Sequence, residues 1–130
     1  TIDTACSSSL VCTHVSKLHL RFKENEKMAA SIVNGINLML FCGPFVDLSA
    51  AGMLSHTGRS FTFNSTADGY ARGECCGAAC FKPMQYKNDG SVIGCLAGSQ
   101  ANQDGRSATL TAPSGPAQEK CINAVLRECM

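Results

Sequence analysis

Side chains that could take part in nucleophilic catalysis lie at the start of the chain, where Cys6 is followed by three serines. Cys6 falls at the first turn of a predicted helix, directly after an extended opening. At such a junction the unsatisfied backbone N–H groups and the positive end of the helix dipole both favour a thiolate. A free thiol has a pKa of roughly 8.5, so a cysteine nucleophile needs such help near neutral pH. The pattern indicates either an activated cysteine or a buried, inert one at a helix start.

A helix is predicted over residues 6–23, because apolar residues recur there at a helical spacing. This apolar stripe consists of Val11, Val15, Leu18 and Phe22. The histidines of this helix lie too far from Cys6 to act on its thiol. At a rise of about 1.5 Å per residue, His14 is about 12 Å and His19 about 20 Å along the axis. Both, together with His56 in a loop, are predicted to be surface or packing residues.

The rest of the chain alternates between strand and helix patterns. The predicted elements are a buried strand over 28–33, a short helix over 45–54, buried strands over 73–84 and 92–98, and a helix that begins near Pro116. The pair Asn34-Gly35 is predicted to break the first apolar run. A strong turn signal at 87–90 predicts that residues 75–98 form a hairpin. This order indicates an α/β layer protein.

The composition indicates a globular chain that forms a core, with 45% hydrophobic and 16% charged residues. A formal net charge of +1 gives no reason to expect nucleic acid or an anionic membrane as partner. No apolar run reaches about 18 residues, so no membrane span is predicted. Because the chain starts inside the cysteine motif and ends inside a helical pattern, we expect residues 1–130 to be part of one domain, cut at both ends.

Nine cysteines occur in 130 residues, with irregular spacings and no Cys-x-x-Cys pair. The only cluster contains Cys75, Cys76 and Cys80, and no histidine accompanies it, so no metal site is predicted. Most of the cysteines lie in apolar runs, where cysteine acts as a small hydrophobic residue. We therefore predict core packing in an intracellular, reducing compartment, without distinguishing cytoplasm from plastid.

Three separated stretches carry longer motifs. They are residues 3–10, residues 62–63 with 67–74, and residues 102–106 with 110–118. In order and spacing they resemble three motifs of the β-ketoacyl synthases, in the form seen in type I polyketide synthases. These are the active-site cysteine motif, the Asp-Gly-Tyr-Ala-Arg-Gly-Glu stretch and the Asn-Gln-Asp-Gly…Leu-Thr-Ala-Pro loop. The resemblance covers essentially all 130 residues.

The resemblance implies a thiolase-like fold with layered α/β/α halves. This chain would hold the end of the first half and the connection towards the second. It also implies that Cys6 accepts an acyl group from a thioester and that its backbone N–H is one oxyanion-hole donor. Decarboxylative condensation with a malonyl-type extender would follow. The acyl donor and the extender would both be attached to the phosphopantetheine of an acyl carrier protein. No cofactor would be bound directly, and the parent protein would be a homodimer.

Thr111, Ala112 and Pro113 resemble a loop that lies close to the acyl cavity in this family; the alternative is a turn before a helix. The family also uses two histidines and a lysine, which belong to motifs outside this stretch. The chain alone is therefore expected to condense nothing. Four departures from the family pattern together suggest a divergent lineage: Asn64 for aspartate, Cys75 for glycine, Asn34 for a small residue and Ser114 for asparagine.

Alternative functions keep the fold and change the chemistry. One is a condensing domain of a fatty-acid synthase, or a thiolase that uses coenzyme A. Another is a non-catalytic homologue that acts as a scaffold or chain-length partner. Such homologues usually lack the active cysteine, so the presence of Cys6 favours an enzyme.

Overall fold

The computed structural model describes residues 1–22, 28–84, 91–109 and 112–130. Its elements are a 3-10 turn at Ala5–Ser7, α1 at Ser8–Arg21, β1 at Ser31–Asn37, α2 at Gly43–Ala50, β2 at Cys75–Phe81 and α3 at Gly115–Cys129. β1 and β2 pair in a two-stranded sheet. The predicted mixture of helices and strands is therefore confirmed. The predicted turn at 87–90 lies outside the described residues.

The described residues divide into two compact units. The first contains Thr1–Val33 and Ala79–Met130, and therefore α1 and α3. The second contains Asn34–Ala78, and therefore α2. Each strand of the sheet passes from one unit into the other, so the chain crosses between the units twice.

α1 lies close to its predicted bounds and α3 begins where predicted, because local signals define these points. The predicted helix over 6–23 is observed as the 3-10 turn followed by α1, which ends where Phe22 turns to an extended backbone. The last helix begins beside Pro116, as predicted. At its N-terminus the Ser114 hydroxyl accepts a hydrogen bond from the Ala117 N–H at 3.4 Å and so caps one exposed donor.

Two boundary predictions are wrong. β1 continues through Asn34 and Gly35 to Asn37, because a glycine can adopt an extended backbone and this stretch pairs with β2. α2 ends at Ala50 and does not reach 54. Beyond it the chain follows a neighbouring segment instead, as the Tyr70 N–H donates to the Met53 carbonyl and the Ser55 N–H donates to the Tyr70 carbonyl, both at 3.1 Å.

The predicted strand over 92–98, and with it the hairpin, is also wrong: residues 91–98 are described and contain no strand. Backbone carbonyls at the end of this segment accept hydrogen bonds from helix side chains. Arg21 donates to the Ala97 carbonyl at 3.3 Å, and Lys17 donates to the Ser99 carbonyl at 2.7 Å. A strand requires a neighbouring strand, whereas this segment is attached to α1.

Little of the described chain is buried. Val33 is the one buried hydrophobic residue among the described positions, and β2 is exposed apart from the half-buried Phe81. The predicted burial of these strands is therefore not observed. Large apolar side chains such as Ile32 and Ile36 are exposed by more than half, because the described residues do not cover this sheet.

Candidate active site

Cys6 lies in the middle of the 3-10 turn that leads directly into α1, and it is exposed. The Ser7 N–H donates to the Thr4 carbonyl at 3.3 Å and closes the turn. Ala5, immediately before the cysteine, has a φ of +55°. This left-handed conformation costs an L-residue roughly 1–2 kcal/mol, so neighbouring contacts must hold the backbone there. The predicted position of Cys6 at a helix start is confirmed.

Short polar side chains hold this turn. Asp3 Oδ1 accepts from the Ala5 N–H at 3.1 Å. Ser8 Oγ accepts from the Thr4 N–H at 2.9 Å and donates to the Ala5 carbonyl at 2.7 Å. Ser7 Oγ donates to the Thr4 carbonyl at 2.9 Å and makes no capping bond to α1. These serines thus fix the strained turn that presents Cys6.

The histidines take no part in this turn. His14 is half-buried, and its Nδ1 lies 2.9 Å from the Ser99 hydroxyl, so its predicted packing role is confirmed. His19 is exposed near the end of α1. His56 is exposed in the second unit, where its backbone N–H donates to Asp68 Oδ2 at 3.1 Å.

Hydrogen bonding, foremost from the Ser55 hydroxyl, lowers the pKa of Asp68.

An ion pair between a buried lysine and a half-buried glutamate links the two long helices. The side chain of Lys17 on α1 is 5% exposed and that of Glu128 on α3 is 18% exposed. Lys17 Nζ lies 2.5 Å from Glu128 Oε1 and 2.7 Å from Oε2, and Arg21 forms a second ion pair with the same carboxylate. The Ser99 N–H donates to Glu128 Oε2 at 3.0 Å. Sequence reasoning assigned no role to Glu128, because nothing local indicates a partner 111 residues away.

These contacts lower the pKa of Glu128 from 4.5 to about 2, chiefly through the hydrogen bond from Lys17. A carboxylate with a depressed folded-state pKa stabilises the protein above its unfolded-state pKa. Its contribution should therefore be complete above pH 4.5 and decline as the pH falls towards 2. Urea unfolding of the full-length protein and its Glu128→Gln variant, compared at several pH values, tests this. The prediction is contradicted if the difference between the two proteins is the same at every pH.

The predicted acyl loop is partly described. Thr111 lies outside the described residues. Ala112 is half-buried, and its N–H donates to Thr109 Oγ1 at 3.1 Å, whereas Pro113 is exposed directly before α3. The structure therefore shows a turn before a helix at this point, and a role in the acyl cavity stays a prediction.

A cavity of about 420 Å³ lies between residues 100–104 and the first turns of α3. Asn102 borders this cavity and donates to the Ala117 carbonyl at 2.6 Å. Asp104 Oδ2 accepts from the Ser114 N–H at 3.3 Å. Among the described residues that line it, neither Cys6 nor Pro113 occurs, so this cavity does not join the predicted site residues.

All nine cysteines are free thiols, and none is buried. The predicted core packing of the cysteines is therefore not observed in the described chain. The described positions bring together no group of three side chains that could hold a metal ion. Within the same ranges, no helix is long and apolar enough to cross a bilayer.

Residues 1–87 match the family model of the β-ketoacyl synthase N-terminal domain. The chain belongs to the β-ketoacyl synthase family. It is a stretch of such a domain of the kind that type I polyketide synthases contain, as two relatives show. The turn around Cys6 lies inside the matched region.

Relatives of this ketosynthase stretch are large polyketide synthases. It is 45% identical over 129 residues to the highly reducing polyketide synthase otaA of Aspergillus niger. It is 41% identical over 127 residues to a phenolphthiocerol/phthiocerol polyketide synthase of Mycobacterium tuberculosis. The alignments cover 98% and 96% of this chain but only 5% and 6% of the relatives. The predicted resemblance to polyketide synthases is confirmed.

Solved ketosynthases share the fold of this stretch. The ketosynthase from module 6 of the bacillaene synthase of Bacillus subtilis superposes with a TM-score of 0.84 at 35% identity. The match covers 97% of this chain and 23% of that one. An oxazolomycin ketosynthase domain of Streptomyces albus, at 24% identity, superposes with a TM-score of 0.78 and shows likeness of fold alone. The predicted place of the chain between two thiolase-like halves stays a prediction.

Proposed function

We propose that this chain carries the acyl-accepting part of a ketosynthase active site, with Cys6 as the nucleophile. The observation that carries the proposal is the strained, hydrogen-bonded turn that presents an exposed Cys6 at the start of α1. That turn lies within a stretch that matches the β-ketoacyl synthase family. An exposed thiol in this turn can reach a substrate, and the unpaired backbone N–H groups at a helix N-terminus can donate to the oxyanion that its attack creates.

The reaction begins with attack of the Cys6 thiolate on the carbonyl carbon of an acyl thioester. The new carbon–sulfur bond forms first and gives a tetrahedral intermediate. When this intermediate collapses, the carbon–sulfur bond to the donor breaks, and the donor leaves as a thiolate that takes up a proton. A backbone N–H of the turn stabilises the oxyanion of the tetrahedral intermediate. A malonyl-type extender then loses CO₂, and its carbanion displaces Cys6 from the acyl group. The bases for proton handling come from outside these 130 residues.

The proposed substrates come from the similarity to polyketide synthases. Both thioesters are carried on the phosphopantetheine of an acyl carrier protein, which is the partner of this site. The loop that contains Ala112 and Pro113 is proposed to contact the acyl chain. Similarity to polyketide synthases supports polyketide assembly over fatty-acid synthesis. Nine free thiols support a reducing compartment, and the 23% coverage of a solved ketosynthase supports a place within a larger domain. That the parent protein is a homodimer is proposed from its family alone.

Mapping of the acylated residue tests the proposal. The full-length protein is incubated with an acyl thioester of N-acetylcysteamine, a small mimic of the phosphopantetheine arm, and its peptides are analysed by mass spectrometry. The acyl mass is expected on the peptide that contains Cys6 and on none of the other eight cysteines. A Cys12→Ala variant, altered on the same helix, should be acylated normally. Acylation of another residue in place of Cys6 would contradict the proposal.

The isolated 130-residue chain is expected to form no condensation product. His14 is engaged with Ser99, and the described residues place no imidazole in the turn of Cys6, so the thiol has no base beside it. A radiolabelled malonyl-carrier assay on the isolated chain measures this, with its Cys6→Ala variant as the blank. Product above that blank would show that these residues suffice for the reaction.

A further inference from the structure

Ser99 is held through all three of its polar groups. Its N–H donates to Glu128, its carbonyl accepts from Lys17, and its hydroxyl bonds to His14. These partners come from both α1 and α3. We call the cluster of His14, Lys17, Arg21, Ser99 and Glu128 the α1–α3 clamp. One residue of irregular backbone is thus fixed by side chains of two helices.

Joining two helices through the clamp carries a desolvation free energy that apolar contacts would avoid. Burial of the Lys17 ammonium carries a desolvation penalty that its attraction to Glu128 often only balances, and apolar residues could join the helices equally well. What an apolar pair could not do is bind the backbone of Ser99. The ion pair itself donates to and accepts from that backbone, through Lys17 Nζ and Glu128 Oε2. In addition to the stabilisation expected from the ion pair, these charges therefore place this segment at a defined position on the two helices.

The segment approaches α3 closely just before Ser99. A Cβ atom built on Gly98 would lie 2.8 Å from Cys129 Sγ and 3.3 Å from Glu128 Oε2. After Ser99, the loop is tied to α3 again through Asn102 and through Asp104. The described parts of this loop, 100–109 and 112–114, thus begin at a fixed point and end at the N-terminus of α3. That loop contains Ala112 and Pro113.

We infer that Glu128 is a positioning residue, which fixes Ser99 and thereby sets the loop that binds the acyl chain. This inference rests on the proposed function. Glu128 acts on the binding of the acyl thioester and leaves the reactivity of the Cys6 thiol unchanged. The reason is that the turn around Cys6 is held by its own bonds among residues 3–8, none of which involves the clamp.

The experiment separates binding from thiol reactivity in the full-length protein. Self-acylation of the Glu128→Gln variant by butyryl-N-acetylcysteamine should show a KM raised about tenfold. This is less than the roughly hundredfold loss of rate that follows when a reacting group is misplaced by 1 Å, because the acyl loop binds the substrate and does not react. The rate at which iodoacetamide alkylates Cys6 should stay within about twofold of wild type, as thiol chemistry depends on the local turn. Glu119→Gln, an exposed position on the same helix, is the matched control and should change neither value.

Two further variants guard against a general loss of folding. A Lys17→Met/Glu128→Gln double variant leaves the pair uncharged and should raise KM no further than Glu128→Gln alone, because residues that act as a unit are not additive. Arg21→Gln, at a side chain that is 52% exposed, is milder and should raise KM about twofold even if Glu128→Gln does not fold.

The other possible outcomes contradict either the inference about Glu128 or the proposed function. An unchanged KM in Glu128→Gln and Arg21→Gln overturns the inference. A parallel fall in the rates of acylation and of Cys6 alkylation also overturns it, since the clamp would then affect the whole site and not the acyl loop alone. A lower Tm by itself does not, because loss of the ion pair is expected to destabilise the protein. Failure of the wild-type protein to acylate Cys6 would instead overturn the proposed function, and it is recognised before any clamp variant is made.

Discussion

Cys6→Ala is expected to abolish acyl-enzyme formation and to lower the condensation rate of the full-length protein at least about 10³-fold. The alanine retains the turn, because every bond that holds it is made by residues other than the Cys6 side chain. Only the nucleophile is lost. The measurement is single-turnover acylation followed by condensation with a radiolabelled malonyl-carrier substrate.

Two comparisons sharpen this result. Cys6→Ser keeps an oxygen nucleophile that is a poorer acyl acceptor than a thiolate, and it should also be severely impaired. Cys12→Ala removes a half-buried thiol one and a half turns further on, in α1, and should react like wild type. If the Cys6→Ala protein retained more than a few per cent of the condensation rate, another residue would be the acyl acceptor.

Gly69→Ala is expected to lower the free energy of unfolding by about 3 kcal/mol, a large loss for a substitution at an exposed position. Gly69 has a φ of +143°, and a Cβ atom there would lie 2.5 Å from both the Leu54 carbonyl carbon and the Ser55 nitrogen. The clash is with backbone, which cannot rotate aside as a side chain can. We combine roughly 1–2 kcal/mol for the unfavourable φ with about 1–3 kcal/mol for overpacking.

The same substitution at Gly58 provides a matched control. Gly58 has a φ of +66°, but no atom lies within 4 Å of its added Cβ, so only the conformational cost of about 1 kcal/mol remains. Urea unfolding of the full-length protein measures both variants. The close approach of Gly69 to the backbone of Leu54 and Ser55 matters because the next residue, Tyr70, forms a β-bridge with Leu54. Equal losses at the two glycines would mean that the approach of the backbone to Gly69 costs nothing.

Short-range signals accounted for the parts of the fold that were predicted correctly. The apolar stripe of α1 and the proline at the start of α3 depend only on residues that are close in sequence. Both helices could therefore be predicted without knowing what they pack against. The same holds for the turn at Cys6, whose hydrogen bonds span at most four residues. The family motifs are also local, which is why the relationship to polyketide synthases could be predicted from them.

Long-range partners decided the rest. The apolar segment 92–98 has the composition of a strand, yet its end is attached to Lys17 and Arg21 of α1. β1 runs through Asn34-Gly35 because it pairs with β2, more than thirty residues later. Burial depends in the same way on what covers a surface, and the strands predicted to be buried are largely exposed among the described residues.

By itself, the sequence determined the family, the place of Cys6 at the start of a helix, the approximate bounds of α1 and the start of α3. Each of these depends on residues that are neighbours in the chain. Only the tertiary structure revealed the α1–α3 clamp, since Lys17 and Glu128 are separated by 111 residues and neither position carries a local sign of its partner. Charge pairing between distant residues depends on a distance in space, and that distance exists only once the chain has folded.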